Sequence, residues 1–77
     1  MNNLYLYTSS QCGPSTVMLN MIKTEKLEVE IIEKRDNLKS AEKYGIRSLP
    51  RLVIDKGFEF EVIQGYDEII EAIKENL

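Results

Sequence analysis

Histidine is absent from this 77-residue sequence. Its absence excludes Cys–His pairs and Ser–His–Asp triads, and it removes the commonest nitrogen ligand of zinc. The inventory of side chains therefore argues against a hydrolase and predicts no metal site.

Cysteine is nearly absent as well, since Cys12 is the only one. One cysteine cannot form an internal disulfide, whereas small secreted domains of this size usually carry several. Apolar runs long enough for a signal sequence or a membrane span are also missing. We therefore expect a cytoplasmic protein that does not contact a membrane.

Positive charge is not in excess either. Ten basic and thirteen acidic residues give a net charge of -3, and the basic residues are scattered, with no cluster beyond Lys34-Arg35. This distribution argues against a nucleic-acid partner. The length predicts one domain covering 1–77, which we expect to be monomeric.

The pattern of apolar residues predicts the element order β-α-β-α-β-β-α. Predicted strands cover 2–7, 28–33, 51–54 and 58–63, and the first helix covers 14 to about 26. The first strand–helix–strand unit predicts a parallel pair, and the last two strands predict an antiparallel hairpin whose turn places Gly57 at positive φ. The expected fold class is α/β, a four-stranded mixed sheet with helices on both faces. The second predicted strand is expected to be buried on at least one face.

The other two helices are predicted from caps and apolar spacing. Asp36 or Asn37 is expected to cap the second helix and Gly45 to end it, with an apolar face of Leu38, Ala41 and Tyr44. Asp67 is expected to cap the terminal helix after a break at Gly65. The apolar stripe of that helix comprises Ile69, Ile70, Ile73 and Leu77.

Cys12 lies where the first strand gives way to the first helix, in the run Ser-Gln-Cys-Gly-Pro-Ser at 10–15. Unpaired N–H groups and the positive end of the helix dipole meet there, and both favour a thiolate over a thiol. Pro14 suits a first helical turn. A lone cysteine is often only a small buried apolar side chain, but the polar loop around Cys12 favours a reactive one.

This run resembles the active site of thioredoxins, Trp-Cys-Gly-Pro-Cys. Gln11 stands in place of the Trp, and Ser15 stands in place of the second cysteine. The predicted element order is also that of the smallest thioredoxins and glutaredoxins, so the resemblance covers essentially the whole chain. It implies a thiol–disulfide oxidoreductase, an electron-transport protein, with Cys12 as the nucleophile and Ser15 at the position of the resolving cysteine.

Ser15 leaves three interpretations open. A serine cannot form the second S–S bond, so the chain can start disulfide exchange but cannot complete it internally. The interpretation we favour, on similarity, is an engineered Cys-to-Ser change at the resolving position, made to trap the mixed disulfide or keep the protein reduced. The others are a natural monothiol enzyme resolved by glutathione, and an ordinary serine at a helix start.

Leu49-Pro50 resembles the cis-proline loop that faces the active-site cysteine in this superfamily. The resemblance implies a cis peptide bond and exposure of the Leu49 backbone for pairing with a substrate strand. A trans proline at the start of an edge strand is the alternative. The resemblance also assigns Gln11, Gly13 and Pro14 to substrate binding.

The run Gly-Tyr-Asp-Glu at 65–68 resembles the turn by which glutaredoxins hold the γ-glutamyl end of glutathione at a helix N-terminus. It implies that Gly65 and Asp67 bind substrate, with glutathione as a co-substrate and no bound cofactor. The alternative, which we favour for Asp67, is a helix cap only. Candidates for a basic residue beside the groove are Lys34, Arg35 and Arg47.

The resemblance implies protein disulfides as substrates and a thioredoxin-reductase-type or glutathione electron donor. Ribonucleotide reductase is a further implied partner. Two other functions stay open: a glutathione-dependent monothiol glutaredoxin and a non-catalytic adaptor that kept the fold. Monothiol glutaredoxins carry Cys-Gly-Phe-Ser and can hold an iron–sulfur cluster between two copies, and Pro14 in place of that Phe argues against a cluster here.

Overall fold

The computed structural model describes residues 2–76, which fold in the predicted order β-α-β-α-β-β-α. A short 3-10 helix at Lys34–Asp36 precedes α2 and was not predicted. The strands are β1 (Asn3–Thr8), β2 (Glu30–Glu33), β3 (Arg51–Asp55) and β4 (Phe60–Ile63), and the helices are α1 (Gly13–Thr24), α2 (Leu38–Lys43) and α3 (Tyr66–Glu75).

The four strands form one mixed sheet in the order β2-β1-β3-β4. β1 pairs with β2 in parallel, and this register places Thr8 opposite Glu33. β1 with β3, and β3 with β4, pair antiparallel. The predicted parallel pair and hairpin are both confirmed. The two central strands, β1 and β3, carry the buried residues, and β2 and β4 form the edges.

Alternation along the strands sends apolar side chains to both faces of the sheet. On one face, α1 and α3 cover a cluster made of Leu6, Met18, Ile22, Leu52, Ile54, Ile69, Ile70, Ala72 and Ile73. On the other, α2 covers a smaller cluster made of Tyr7, Ala41, Tyr44, Ile46 and Val53. Helices on both faces were predicted and are confirmed.

The hairpin turn between β3 and β4 has Gly57 at φ +92°, the positive value that was expected. The Lys56 amide donates to the Glu59 carbonyl at 2.8 Å, which closes the turn. Phe58 lies within that turn and is 85% exposed. β4 therefore begins at Phe60, not at Phe58 as predicted.

The second strand is shorter and less buried than predicted. β2 begins at Glu30, not at position 28, and Ile31 is 44% exposed because β2 is an edge strand. The apolar face predicted for α2 is confirmed at Ala41 and Tyr44 but wrong at Leu38, which is 62% exposed. Helical side chains tilt toward the N-terminus, so Leu38 in the first turn of α2 projects past the packed part of the face.

Two of the predicted caps are wrong. Asn37 precedes α2 but does not cap it, since its side-chain amide donates to the Glu33 carbonyl at 2.9 Å, and Asp36 belongs to the 3-10 helix. α3 begins two residues earlier than predicted, so Asp67 is its second residue and Gly65, at φ +94°, occupies the cap position.

The predicted end of α2 at Gly45 and most of the predicted apolar stripe of α3 are confirmed. Gly45 follows α2 at φ +69°, as expected of a helix-ending glycine. In α3, Ile69, Ile70 and Ile73 are buried, whereas Leu77 lies outside the described residues. Within residues 2–76, no helix has the length and apolar character needed to cross a bilayer.

Candidate functional site

Cys12 immediately precedes α1 in an extended backbone conformation, φ -107° and ψ 119°. Its carbonyl accepts hydrogen bonds from the Thr16 amide at 3.1 Å and the Thr16 hydroxyl at 3.3 Å, so it starts the helical ladder. The side chain is partly exposed and is a free thiol. Pro14 is the second residue of α1, where a missing N–H leaves no broken bond. The predicted placement of the thiol at a helix start is confirmed.

Ser15 is completely buried in the first turn of α1. Its hydroxyl oxygen accepts a hydrogen bond from the Ser9 amide at 3.1 Å. The side chain thus ties the loop before Cys12 to the helix after it. Among the hydrogen bonds of residues 2–76, the Ser15 side chain neither caps α1, as one interpretation of the sequence proposed, nor bonds to the Cys12 sulfur.

A shallow depression of about 220 Å³ lies between the start of α1, the loop before β3 and the turn before α3. It is lined by Pro14, Leu49, Pro50, Arg51, Gly65 and Tyr66. The Leu49–Pro50 peptide bond is cis, as predicted. The structure therefore brings together four residues that were named from distant parts of the sequence: Pro14, Leu49, Pro50 and Gly65.

The remaining predicted binding residues do not line this depression. Gln11 and Gly13 are exposed on either side of Cys12. Asp67 is exposed in the first turn of α3, beyond the lining residues. Lys34 and Arg47 line a different depression, which borders α2.

Sequence reasoning missed Arg51 and Tyr66 as lining residues. The Arg51 guanidinium folds back and donates to the Pro50 carbonyl at 2.8 Å, which fixes a positive charge at this surface. Adjacency to Pro50 in the sequence was the available signal for Arg51. Tyr66 directly follows Gly65 and is the first residue of α3, so its ring stands beside the same turn.

The loop that precedes Cys12 is also held by residues at the end of β2. The Ser10 amide donates to Glu33 Oε1 at 2.9 Å, and the Arg35 amide donates to Glu33 Oε2 at 3.4 Å. The guanidinium of Arg35 donates to the Ser10 hydroxyl at 3.3 Å. Arg35, a candidate for a basic residue beside the groove, does not line the depression. The hydrogen bond from the Ser10 amide lowers the pKa of Glu33 most. The hydrogen bond from the Arg35 amide and the positive charge of Arg35 lower it further.

The side chains of residues 2–76 do not gather into a group of three cysteine, aspartate or glutamate ligands that would hold a metal ion. The chemistry that the arrangement offers is that of a partly exposed thiol beside unpaired helix amides.

Comparison with known proteins identifies the fold. No family model matches the sequence, and a search of curated proteins finds no match. Solved structures do match. A thioredoxin from Malassezia sympodialis superimposes with a TM-score of 0.78 at 15% identity, covering 96% of this chain and 73% of its own.

Two further thioredoxins show the same similarity. Deadhead, a germline-specific thioredoxin of Drosophila melanogaster, gives a TM-score of 0.76 at 21% identity, with coverage of 99% and 80%. Trichomonas vaginalis thioredoxin gives 0.67 at 19% identity, with coverage of 99% and 79%. This chain has the thioredoxin fold. The fold class predicted from the sequence is confirmed.

Proposed function

We propose that this protein is a thiol–disulfide oxidoreductase of the thioredoxin type, with Cys12 as its nucleophile. The observation that carries the proposal is the convergence of three segments beside the start of α1. Pro14, the cis Leu49–Pro50 pair and Gly65 line one depression. Pro14 follows the partly exposed thiol of Cys12 by two residues. Cys12, the only cysteine of the chain, does not itself line the depression, and we propose that a substrate seated there extends to the thiol.

The reaction begins with attack of the Cys12 thiolate on one sulfur of a target disulfide. A bond forms between the two sulfurs, the target S–S bond breaks, and the departing thiolate takes a proton from water. Cys12 is thereby oxidised to a mixed disulfide, and the departing sulfur is reduced. The unpaired amides at the start of α1 stabilise the attacking thiolate.

The second step needs a thiol that this chain does not supply, because Ser15 stands at the resolving position. We propose that the chain, as a resolving-Cys-to-Ser variant, forms the mixed disulfide and holds it until an external thiol attacks. A small thiol such as dithiothreitol or glutathione is the chemical class required. The departing substrate then leaves as a thiol, and Cys12 becomes bonded to the attacking sulfur.

Substrate binding would use the backbone of Leu49, which is half-buried beside the depression. An extended segment next to the disulfide can pair with that backbone as an added strand. We propose protein disulfides as substrates of this single, monomeric, cytoplasmic domain. A thioredoxin-reductase-type or glutathione donor would reduce it, and ribonucleotide reductase is a candidate acceptor of its electrons.

A monothiol glutaredoxin is the second candidate, and the environment of Ser15 supports it. The serine is fully buried, and its hydroxyl is satisfied by the Ser9 amide at 3.1 Å. A serine that is native to this position is expected to be buried with its hydroxyl hydrogen-bonded, as Ser15 is. Glutathione would then resolve the mixed disulfide, with Gly65 and Asp67 at the start of α3 as candidates for holding it.

The test compares reduction of insulin by the chain and by its Ser15→Cys variant, with dithiothreitol and then glutathione as donor. We expect much faster turnover with dithiothreitol for Ser15→Cys, because that variant supplies an internal resolving thiol, whereas the mixed disulfide of the unaltered chain waits for attack by dithiothreitol from solution. A Cys12→Ser variant is the control and should be inactive with either donor. Turnover of the unaltered chain with glutathione alone would favour the monothiol enzyme. Inactivity of both chains with both donors would contradict an oxidoreductase and leave the adaptor.

A further inference from the structure

We infer that Glu33 and Arg35 are positioning residues for Cys12, acting through the loop at 9–12. The inference rests on the proposed function, since it concerns how fast the Cys12 thiolate reacts. Neither residue lines the depression at Pro50. Both act on Ser10, two positions before the nucleophile.

The backbone amides of the loop show how it is held. Two of them find acceptors within the loop: the Cys12 amide donates to the Ser9 carbonyl at 3.1 Å, and the Gln11 amide donates to the Ser9 hydroxyl at 3.3 Å. These bonds shape the turn but do not fix it to the rest of the protein. The turn could move as a unit if nothing else held it.

The other two amides are the external anchors. The Ser9 amide donates to Ser15 on α1, and the Ser10 amide donates to Glu33 at the end of β2, 23 residues away. One anchor lies on the helix side of the loop and one on the sheet side. Removing either would weaken the attachment of the loop on that side, and the direction of the Cys12 side chain would be less restricted.

Glu33 is itself well fixed. One carboxylate oxygen accepts from Ser10 and the other from the Arg35 amide, while its backbone carbonyl accepts from the Asn37 side chain. The parallel register, with Thr8 opposite Glu33, keeps the carboxylate beside the loop that follows β1. The anchor therefore joins the loop before Cys12 to the sheet through a residue held at three atoms, its two carboxylate oxygens and its backbone carbonyl.

Arg35 adds a second bond to the same anchor. Its guanidinium donates to the Ser10 hydroxyl at 3.3 Å. Glu33 therefore holds the amide of Ser10, and Arg35 holds its hydroxyl. Loss of Arg35 should therefore slow Cys12 by loosening the loop.

The experiment measures the rate at which Cys12 reacts with a small aromatic disulfide, 5,5'-dithiobis(2-nitrobenzoate), at neutral pH. The chains compared are the unaltered protein, Glu33→Ala, Glu33→Gln and Arg35→Ala. Glu30→Ala is the matched control, because it removes the same charge from the same strand at an exposed side chain. Urea midpoints are recorded for every chain, and hydrogen exchange of the Ser10 amide is followed by NMR.

We expect Glu33→Ala to react about five- to ten-fold more slowly, the scale of one ordinary lost hydrogen bond. Glu33→Gln should recover part of that rate, because its amide oxygen can still accept from Ser10. Hydrogen exchange of the Ser10 amide should be fastest in Glu33→Ala and less accelerated in Glu33→Gln. Glu30→Ala should match the unaltered chain in both the reaction rate and the exchange rate. A purely structural cap on the 3-10 helix would lower the urea midpoint and leave the rate unchanged.

Two results overturn the inference in distinguishable ways. If Glu33→Ala frees the Ser10 amide while Cys12 reacts at the unaltered rate, the anchor exists but does not position the nucleophile. If Cys12 of the unaltered chain reacts no faster than free cysteine, the proposed function itself fails, whatever the Ser10 amide shows.

Discussion

Ser15 combines a chemical limitation with a structural role at one residue. Its hydroxyl cannot resolve a mixed disulfide, yet it accepts the Ser9 amide at 3.1 Å from a fully buried position. A thiol at position 15 would be a weaker acceptor for that amide. A chain with sulfur there would gain the ability to complete disulfide exchange and lose some of the attachment of its reactive loop.

We expect Ser15→Ala to destabilise the protein by about 1–3 kcal/mol, because the partly buried Ser9 amide would lose its acceptor. The free energy of unfolding from urea titrations measures this loss. Ser48→Ala is the control, since Ser48 is exposed and should change stability by less than about 0.5 kcal/mol. Equal stability of Ser15→Ala and the unaltered chain would mean that water replaces the hydroxyl.

The placement of Cys12 at a helix start could be predicted from the sequence, but the contacts that hold its loop could not. Cys12 stands out because a strand, a polar loop and a proline-bearing helix start are adjacent in the chain. Glu33 contacts Ser10 only because β1 and β2 pair in one register, and that register depends on packing across the sheet. A contact over 23 residues leaves no local pattern in the sequence.

The start of α3 depends on the backbone of a single residue. Gly65 occupies the cap position at φ +94° and ψ 136°, a region that residues with a Cβ rarely adopt. This turn lets α3 begin at Tyr66 and brings Gly65 to the depression beside Pro50. A side chain at this position would disturb both the helix start and the candidate site.

We expect Gly65→Ala to cost about 1–3 kcal/mol in unfolding free energy, because alanine is strained at this φ. Its Cβ would also meet the carboxylate of Glu68. Gly13→Ala is the matched control: the first residue of α1 has open space around it, and alanine favours helices. That variant should be as stable as the unaltered chain or slightly more so. If Gly13→Ala lost more unfolding free energy than Gly65→Ala, the strain argued for Gly65 would be contradicted.

The elements themselves could be predicted to within a few residues, and the errors have local causes. Alternation identified β4, yet Phe58 was included because a turn residue can fit the alternation by chance. The 3-10 helix at Lys34–Asp36 has no apolar period to reveal it. The cap of α3 was placed two residues late because Asp67 is a common capping type, whereas the conformational freedom of Gly65 decided where the helix starts.

The molecule as a whole has two apolar clusters of unequal size. Two helices cover one face of the sheet, whereas the short helix α2 and the residues that follow it, Tyr44 and Ile46, cover the other. Tyr44 joins this smaller side to the sheet: its hydroxyl donates to the Asp55 carboxylate, and its ring meets Phe60 edge-on at 4.9 Å. The hydrogen bond raises the pKa of Tyr44 and lowers that of Asp55.

We expect Tyr44→Phe to lower the urea midpoint at neutral pH, because the variant keeps the ring and loses the bond to Asp55. The lowered pKa of Asp55 means that this stabilisation is present above its ordinary value of 3.8 and is lost as the pH falls through the lowered pKa. The difference between the two chains should therefore shrink in acid. Tyr5→Phe is the control, since the Tyr5 hydroxyl makes no hydrogen bond within residues 2–76. A difference that persists at the lowest pH would contradict the role of the carboxylate.

The two outer strands carry acidic side chains along backbone edges that are open to further pairing. β2 begins and ends with glutamate, and β4 has Glu61 next to its first residue. Charged side chains at a sheet edge oppose the addition of another strand. Two molecules meeting edge to edge would bring glutamates together, so the sheet is protected against growth into an aggregate. If Leu49 pairs with substrate strands as proposed, these charges would keep the edges of the sheet from pairing with copies of the same chain.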